Sequence, residues 1–374
     1  MLTKFKVKNF KSIHSLELEL GRVNVFIGEN GSGKSNVLEA VALASAALQN
    51  KLDHEFLAPR GIRITAPELM RSGFEKSQQV EAIRLRLSIE EGNEIPLLLK
   101  NENERFSPWT LAVNANPNDE SFIRSLGRFA GNPAGLDIGR YLPDFLKHCA
   151  KALGNFVIFA PENTTLRTLE KESQIVPLGK NGEGFFALLQ FFATEPNQPT
   201  IRELNERLQI FGWFDNFVLP ERLWPGESFL KIKDKYLDAN IEFIDQRSAN
   251  EGFLFILFYL ALFISKDTPK FFAIDNIETA LNPKMCTKLM TTVAELAKVH
   301  DKQVMITTHS PAVLDGINLN GDDQRLFLVY RNAHGHTVAK RVQKPEPLPG
   351  QTPAKLSELF MRGHLGGIPK NFTL

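Results

Sequence analysis

The first hundred residues are dominated by alternation. In "KFKVKNF" and "SLELEL" apolar and polar side chains exchange places at nearly every step, the period of half-buried strands. "RVNVFIG" is an apolar strand ending at Gly28, followed by "ENGSGKS" and the helix-forming run "NVLEAVALASAALQ". Alternation returns in "VEAIRLRLSIE" and, with the apolar "IPLLLK", predicts a sheet that continues to Lys100. From Asn101 to Pro143 the chain turns polar ("NENE", "NANPND", "GNPAG"), and no element is assigned. "NFVIFAPEN" then reads as a short buried strand. "EGFFALLQFFA" and "TIRELNERLQIF" read as helices, the second with Thr200 as N-cap and Glu203 three residues later.

"FLFILFYLALFI", residues 253–264, is apolar all round. A membrane span needs about 20 such residues, so this run predicts a helix buried in a soluble core. The strand "KFFAID", the helix "NPKMCTKLMTTVAELAKVH" and the strand "QVMITTHS" make a parallel crossover unit. No sustained heptad pattern or internal repeat is present, which excludes a long coiled coil and a repeat array.

Composition narrows the classes. A chain of 374 residues with 43% hydrophobic content can bury a large core. Its net charge of +1 gives no global basic field and leaves a local basic patch open. Cys149 and Cys286 are too few for a disulfide framework or a zinc site and read as buried thiols. The start, "MLTKFKVKNFKSIHSLELEL", lacks the apolar core of a signal peptide, so a cytoplasmic location is expected.

"GENGSGKS" carries the candidate chemistry. It matches G-x-x-x-x-G-K-[ST] with Gly28, Gly33, Lys34 and Ser35, enclosing Asn30, Gly31 and Ser32 and followed by Asn36. Glycines let successive backbone N–H groups turn inward to phosphate oxygens, and the helix behind adds its positive N-terminal end. Lys34 is expected on the β- and γ-phosphates of ATP, and the Ser35 hydroxyl on Mg2+. In "FFAIDNIETALNP" an apolar strand ends in Asp275, the position of a magnesium-organising acid. The next residue should be the carboxylate that activates water. It is Asn276, whose amide accepts no proton.

The stretch "FKVKNFKSIHSLELELGRVNVFIGENGSGKSNVLEA" resembles the amino-terminal end of the SMC, RecF and OLD-type ATPases, ABC-type ATPases that work on DNA or in defence. The resemblance resumes at "SANEGFLFILFYLALF", "FFAIDNIETALNP", "MITTHSP" and "LSELFMRGHLGGIP", and is poor between residues 101 and 240. It implies an α/β fold, an ABC-type P-loop NTPase head with a mixed or parallel sheet core and an antiparallel β lobe. Residues 1–100 would form the P-loop lobe, 101–240 an inserted, mainly helical lobe, and 241–374 a lobe with signature, Walker B acid and switch histidine. It also implies a head-to-head homodimer that sandwiches two ATP molecules, with higher oligomers left open. The P-loop of one subunit would face the signature of the other, here Asn250-Glu251-Gly252, where relatives place Ser-x-Gly. His309 matches the switch histidine that contacts the γ-phosphate.

OLD-type relatives often carry an extra glutamate at the place of Glu278. A chain extended beyond Asp275 would put Glu278 on the same face as Asn276, within reach of the same water. The competing reading is a turn carboxylate that caps the next helix. Glu162 and Asn163 hold about the place of the Q-loop without its glutamine, and read equally as a strand-terminal turn. Arg60 and Arg63 could reach nucleotide or DNA, or be solvated loop arginines.

Five readings of function follow. The first is a slow ABC-type ATPase that dimerises on ATP and acts as switch or scaffold for an effector protein from a neighbouring gene, in anti-phage defence. The alternatives to it are a RecF-like ATPase that binds DNA in repair and a non-hydrolysing ATP sensor. An OLD-type nuclease would need a further metal-binding domain after His309, where only about 65 residues remain and Asp322, Asp323 and Glu346 are scattered. A transporter subunit is opposed by "GKSN" and "NFKS", and no membrane partner is expected.

Overall fold

The computed structural model describes residues 1–89, 93–104, 107–113, 120–130, 138–153, 155–168, 175–220, 230–344 and 354–365. In chain order the amino-terminal part holds β1 (Leu2–Phe10), β2 (Ile13–Glu19), β3 (Val23–Gly28), α1 (Lys34–Leu48), α2 (His54–Leu57), α3 (Pro67–Met70), β4 (Ile83–Ile89) and β5 (Asn93–Lys100). Then come β6 (Thr110–Val113), α4 (Glu120–Ala130), α5 (Ile138–Leu153), β7 (Ile158–Phe159), α6 (Phe185–Ala193), α7 (Pro199–Leu208), β8 (Phe214–Val218), β9 (Lys231–Asp234) and β10 (Ile244–Asp245). The remainder is α8 (Glu251–Ile264), β11 (Phe271–Ile274), α9 (Pro283–Val299), β12 (Gln303–Thr308), α10 (Pro311–Leu314), β13 (Gln324–Arg331), β14 (Thr337–Val342) and α11 (Leu356–Met361).

The central sheet has the order β14-β13-β3-β12-β11-β7, parallel except for the antiparallel edge β14. Its register pairs Ile274 with Ile306, Thr308 with Ile27, and Gly28 with Val329. The carboxyl ends of β3, β11 and β12 therefore meet at one edge, where parallel sheets present their sites. A second, antiparallel sheet has the order β2-β1-β4-β5-β6. The fold is that of an ABC-type P-loop head with a helical insertion.

α1 lies between the two sheets, and all but two of its fifteen residues are buried, because neither side of it meets water. α8 lies on the opposite face of the central sheet, in a cluster with α6, α7 and α9. It is buried from Gly252 to Ile264, as its uniform hydropathy predicts. No helix among the described residues is long and apolar enough to cross a membrane. Both cysteines are free and buried.

Three features differ from the sequence expectations. Thr200 is not the N-cap of α7: Gln198 holds that position, Pro199 starts the helix, and Glu203 bonds His300 at 3.1 Å instead of closing a capping box. Proline's fixed φ suits the first helical position, and this moves the start two residues upstream. The stretch 101–240, expected to be mainly helical, also supplies strands: β7 pairs with β11 in the central sheet, and β8 and β9 belong to a small three-stranded sheet. Finally, "QRLFLVYR" and "TVAKRV" form β13 and β14, which extend the central sheet beyond β3.

Candidate nucleotide site

The loop after β3 is built by glycines that nothing larger could replace. A Cβ on Gly28 would lie 1.9 Å from the Val329 carbonyl oxygen. Gly33 has φ 102°, and a Cβ there would lie 2.0 Å from Thr337 Oγ1. Two hairpins brace the loop. Thr337 donates its hydroxyl to the Ser32 carbonyl (2.8 Å), and Arg331 donates Nε to the Gly31 carbonyl (2.9 Å). Asn36 donates to Ser12 Oγ (2.6 Å), which pairs with Thr337 (2.7 Å). Asn30 and Gly31 are exposed at the tip.

Lys34 is buried, and its ammonium donates to the carbonyls of Gly28 and Glu29, both at 2.9 Å. It also donates to His309 Nδ1 at 3.3 Å, which joins the end of β12 to the loop after β3. Burial pushes the Lys34 ammonium down to about 8, against the opposing pull of Asp275, Glu278 and Glu29. Burial, then the Lys34 charge, holds the His309 imidazole below its ordinary value, so at neutral pH its Nδ1 is an acceptor.

Asp275 sits where the sequence placed it, one residue beyond β11. Ser35 Oγ donates to its Oδ2 at 3.1 Å, and Thr307 Oγ1 donates to its Oδ1. A hydroxyl and a carboxylate from opposite sides of the loop form an oxygen donor pair suited to a hard divalent cation. Thr307, buried inside an apolar strand, is a site residue that the pattern of "QVMITT" did not single out. Its hydroxyl also accepts the Asn276 N–H (2.9 Å).

The chain does not stay extended past Asp275. Asn276 has φ 55°, in the left-handed region that asparagine tolerates, and the turn closes with Thr279 N–H to Asn276 O (3.1 Å) and Leu281 N–H to Glu278 O (3.0 Å). The shared-face argument for Glu278 therefore fails. The turn brings the carboxylate to the site by another route: Glu278 Oε1 accepts the His309 backbone N–H at 2.7 Å. Oε2 is shut off from solvent, so any role as proton acceptor falls to Oε1. Glu278 does not cap α9. Asn282 does, accepting from Met285 N–H at 3.0 Å.

The Asn250-Glu251-Gly252 segment opens α8, with exposed Asn250 as N-cap accepting from Phe253 N–H (3.3 Å). Gly252 is buried, and a Cβ there would lie 3.0 Å from the Ala280 carbonyl oxygen. The close approach it permits is thus to the turn after Asp275 within the same chain. Arg167 fixes the approach to this helix, donating to the carbonyls of Gln246 (3.1 Å), Arg247 (2.6 Å) and Ala249 (2.8 Å) and to Asn163 Oδ1 (2.8 Å). Arg60 is buried over the Phe56 ring, whereas Arg63 donates to Asn36 Oδ1 (2.9 Å) and pairs with Glu39 at the front of α1.

With this geometry the chain can be placed among known proteins. A family model described as "AAA domain, putative AbiEii toxin, Type IV TA system" matches residues 23–315. The chain belongs to this AAA family. An uncharacterized protein of Methanocaldococcus jannaschii is 29% identical over 212 residues, 55% of this chain and 86% of that protein. The DNA replication and repair protein RecF of Listeria monocytogenes is 24% identical over 183 residues. That match spans about half of each, 47% of this chain and 47% of RecF. Among solved structures, the SMC head domain from Thermotoga maritima overlays 91% of this chain and 99% of its own at TM-score 0.51 and 15% identity. An Smc head bound to the C-winged helix domain of ScpA gives TM-score 0.55 at 13% identity, over 91% of this chain and 98% of that one. The chain thus shares the fold of SMC heads and is similar over part of its length to RecF, and the description of its family names a toxin and a toxin–antitoxin system.

Proposed function

We propose that this AAA protein is a slow ATP-hydrolysing switch that closes as a homodimer on two Mg-ATP molecules and relays that state to a partner effector in anti-phage defence. The observation that carries the reading is the convergence of Lys34, Ser35, Asp275, Glu278 and His309 at one sheet edge, with Lys34 joined to His309 and His309 to Glu278. Gly28 to Asn36 form the phosphate cradle, and Ser35 and Asp275 are the residues that would hold magnesium. A bound magnesium ion supplies positive charge to the β- and γ-phosphate oxygens.

Lys34 balances phosphate charge, and its desolvation strengthens that interaction. Glu278 Oε1 accepts the proton of the attacking water, because the Asn276 amide cannot. His309, linked to both, reports the γ-phosphate. A general base is worth typically 10²–10⁴ in rate, so a carboxylate displaced into a turn yields slow turnover. Asn250 and Glu251 at the amino end of α8 face the γ-phosphate of the opposing subunit. The ScpA complex of an Smc head and the toxin–antitoxin description of the family support a partnered ATPase. Calorimetry of Lys34→Ala with Mg-ATP tests the base of this reading: affinity should fall at least about tenfold, and unchanged affinity sinks it.

One observation favours a RecF-like second reading, with nucleic acid as partner. On the outer face of the antiparallel lobe Lys6 stands opposite Arg86 and Lys8 opposite Arg84 on adjacent strands. These two rungs line a groove of about 500 Å3, in which Lys6 is paired with Glu17 (3.0 Å), Arg86 with Glu94 (3.0 Å) and Arg84 with Glu81 (3.1 Å), so Lys8 is the cation the test addresses. Binding of a duplex oligonucleotide that weakens steeply with salt and is lost in Lys8→Glu would favour this reading.

A further inference from the structure

The apolar helix α8 carries one side-chain polar atom along residues 253–264, the hydroxyl of Tyr259. That residue is 1% exposed, and its hydroxyl has no hydrogen-bond partner among the described residues. Leaving a buried phenol without a partner is destabilising, so its presence in an otherwise apolar helix needs a reason. Glu278 Oε2 is also buried without a hydrogen-bond partner among the described residues.

The helix geometry puts Tyr259 on the face of α8 that meets the turn carrying Glu278. Gly252 and Tyr259 are seven residues apart, about two turns, and lie on one face of α8. Gly252 faces Ala280 and Leu281 of the turn that carries Glu278. Tyr259 accordingly faces the floor of that turn, where Cys286 of α9 is also buried. Burial raises the Tyr259 phenol above its ordinary value, and the Glu278 carboxylate, then Cys286, raise it further. The hydroxyl therefore stays protonated, a donor facing an acceptor-only carboxylate.

We propose that Tyr259 is a positioning residue for Glu278: its hydroxyl donates to Oε2 through one bound water and holds the carboxylate with Oε1 against the His309 N–H. With Oε2 engaged from below and Oε1 from the β12 side, rotation of the carboxylate is restricted, and the signature helix acquires a water-mediated hold on the candidate base. The proposal rests on Glu278 being that base for its catalytic consequence, but not for the contact itself.

The contact is read by a double-mutant cycle in the unfolding of the full chain, using Tyr259→Phe, Glu278→Ala and the pair. Tyr259→Phe removes a single oxygen and keeps the packing of α8. A hydrogen bond to a charged group predicts coupling of about tenfold in the unfolding constant, and additive effects would overturn the proposal. The catalytic consequence is read by ATP turnover. Tyr259→Phe should lower kcat severalfold at unchanged KM, as a purely structural role would not, and an unchanged kcat with coupling present would also overturn positioning. Normal turnover in Glu278→Gln would instead sink the base assignment, while the cycle still decides the contact.

Discussion

His309 donates its backbone N–H to Glu278 Oε1 at 2.7 Å, tying the end of β12 to the turn that follows Asp275. The same histidine accepts from Lys34 through its ring. The imidazole proposed to sense the γ-phosphate is therefore covalently continuous with the donor that fixes the candidate base. Phosphate contact and base placement become one event in this arrangement.

Glu278→Gln keeps size and hydrogen bonding at that position and removes the proton acceptor. Steady-state hydrolysis should fall by about 10² or more while Mg-ATP binding persists. Asn276→Glu should restore a carboxylate directly beside Asp275 and raise turnover, also in the Glu278→Gln background. It carries a cost, since φ 55° suits asparagine and strains glutamate by about 1 kcal/mol. Faster turnover with a lowered melting temperature is the expected pair of results. Normal hydrolysis by Glu278→Gln, with Lys34→Ala as control for contaminants, would exclude Glu278 as base.

Lys34 yields a pH prediction. Its folded value of about 8 lies below the ordinary 10.5, so between those limits the unfolded chain holds more protons. The protein without nucleotide should therefore gain stability from this group as pH rises through that window, and below about 8 the group is charged in both states and contributes its full burial penalty. Phosphates favour the charged ammonium and raise its value again. ATP binding near pH 9 should take up a proton, and binding near pH 6.5 should take up about none at this site. Calorimetry in buffers of different ionisation enthalpy measures this, and Lys34→Met should abolish the uptake.

The parts of the site legible in the sequence are those fixed by local geometry. The spacing of Gly28, Gly33, Lys34 and Ser35 requires a loop between strand and helix, and both were announced by hydropathy. Asp275 was legible because the apolar run stops there. What followed it was not, because the extended period of a strand ends as soon as one residue, Asn276, adopts a left-handed conformation. The route of Glu278 to His309 depends on that single dihedral. Thr307, Thr337 and Arg331 were hidden for another reason: their partners Asp275, Ser32 and Gly31 lie far along the chain and meet them only through sheet order. β7 was readable as a strand, but its membership of the central sheet follows from its pairing with β11, which no local pattern carries.

The trans role of the signature segment needs a substitution that leaves the chain's own packing intact. Gly252 is unsuited, because a side chain there would press on the Ala280 carbonyl. Asn250 is exposed, and aspartate caps a helix as well as asparagine. Asn250→Asp therefore keeps α8 and places a negative charge toward the opposing γ-phosphate. Sedimentation with a non-hydrolysable ATP analogue should show nucleotide-dependent association weakened at least about tenfold, with analogue affinity in the monomer retained. Unchanged association would remove Asn250 from the dimer contact.

Arg167 supplies the last prediction. Its guanidinium bonds three carbonyls in the approach to α8 and the side chain of Asn163 in the segment after β7. Guanidinium donors are rigid, so these four bonds set one position of the helix start relative to the central sheet. The carbonyls stay near water when the side chain is removed, and the loss in stability should be modest, about 1–3 kcal/mol in denaturant unfolding. The functional loss should be larger in kind. Arg167→Ala should retain Mg-ATP affinity, because the phosphate cradle is untouched, yet lose analogue-dependent dimerisation as the amino end of α8 becomes mobile. Arg167→Lys restores charge without the fork and should recover stability better than dimerisation. If Arg167→Ala dimerises normally at reduced stability, the guanidinium is a fold clamp only, and the position of the α8 start is set by Gly252 against the Ala280 turn.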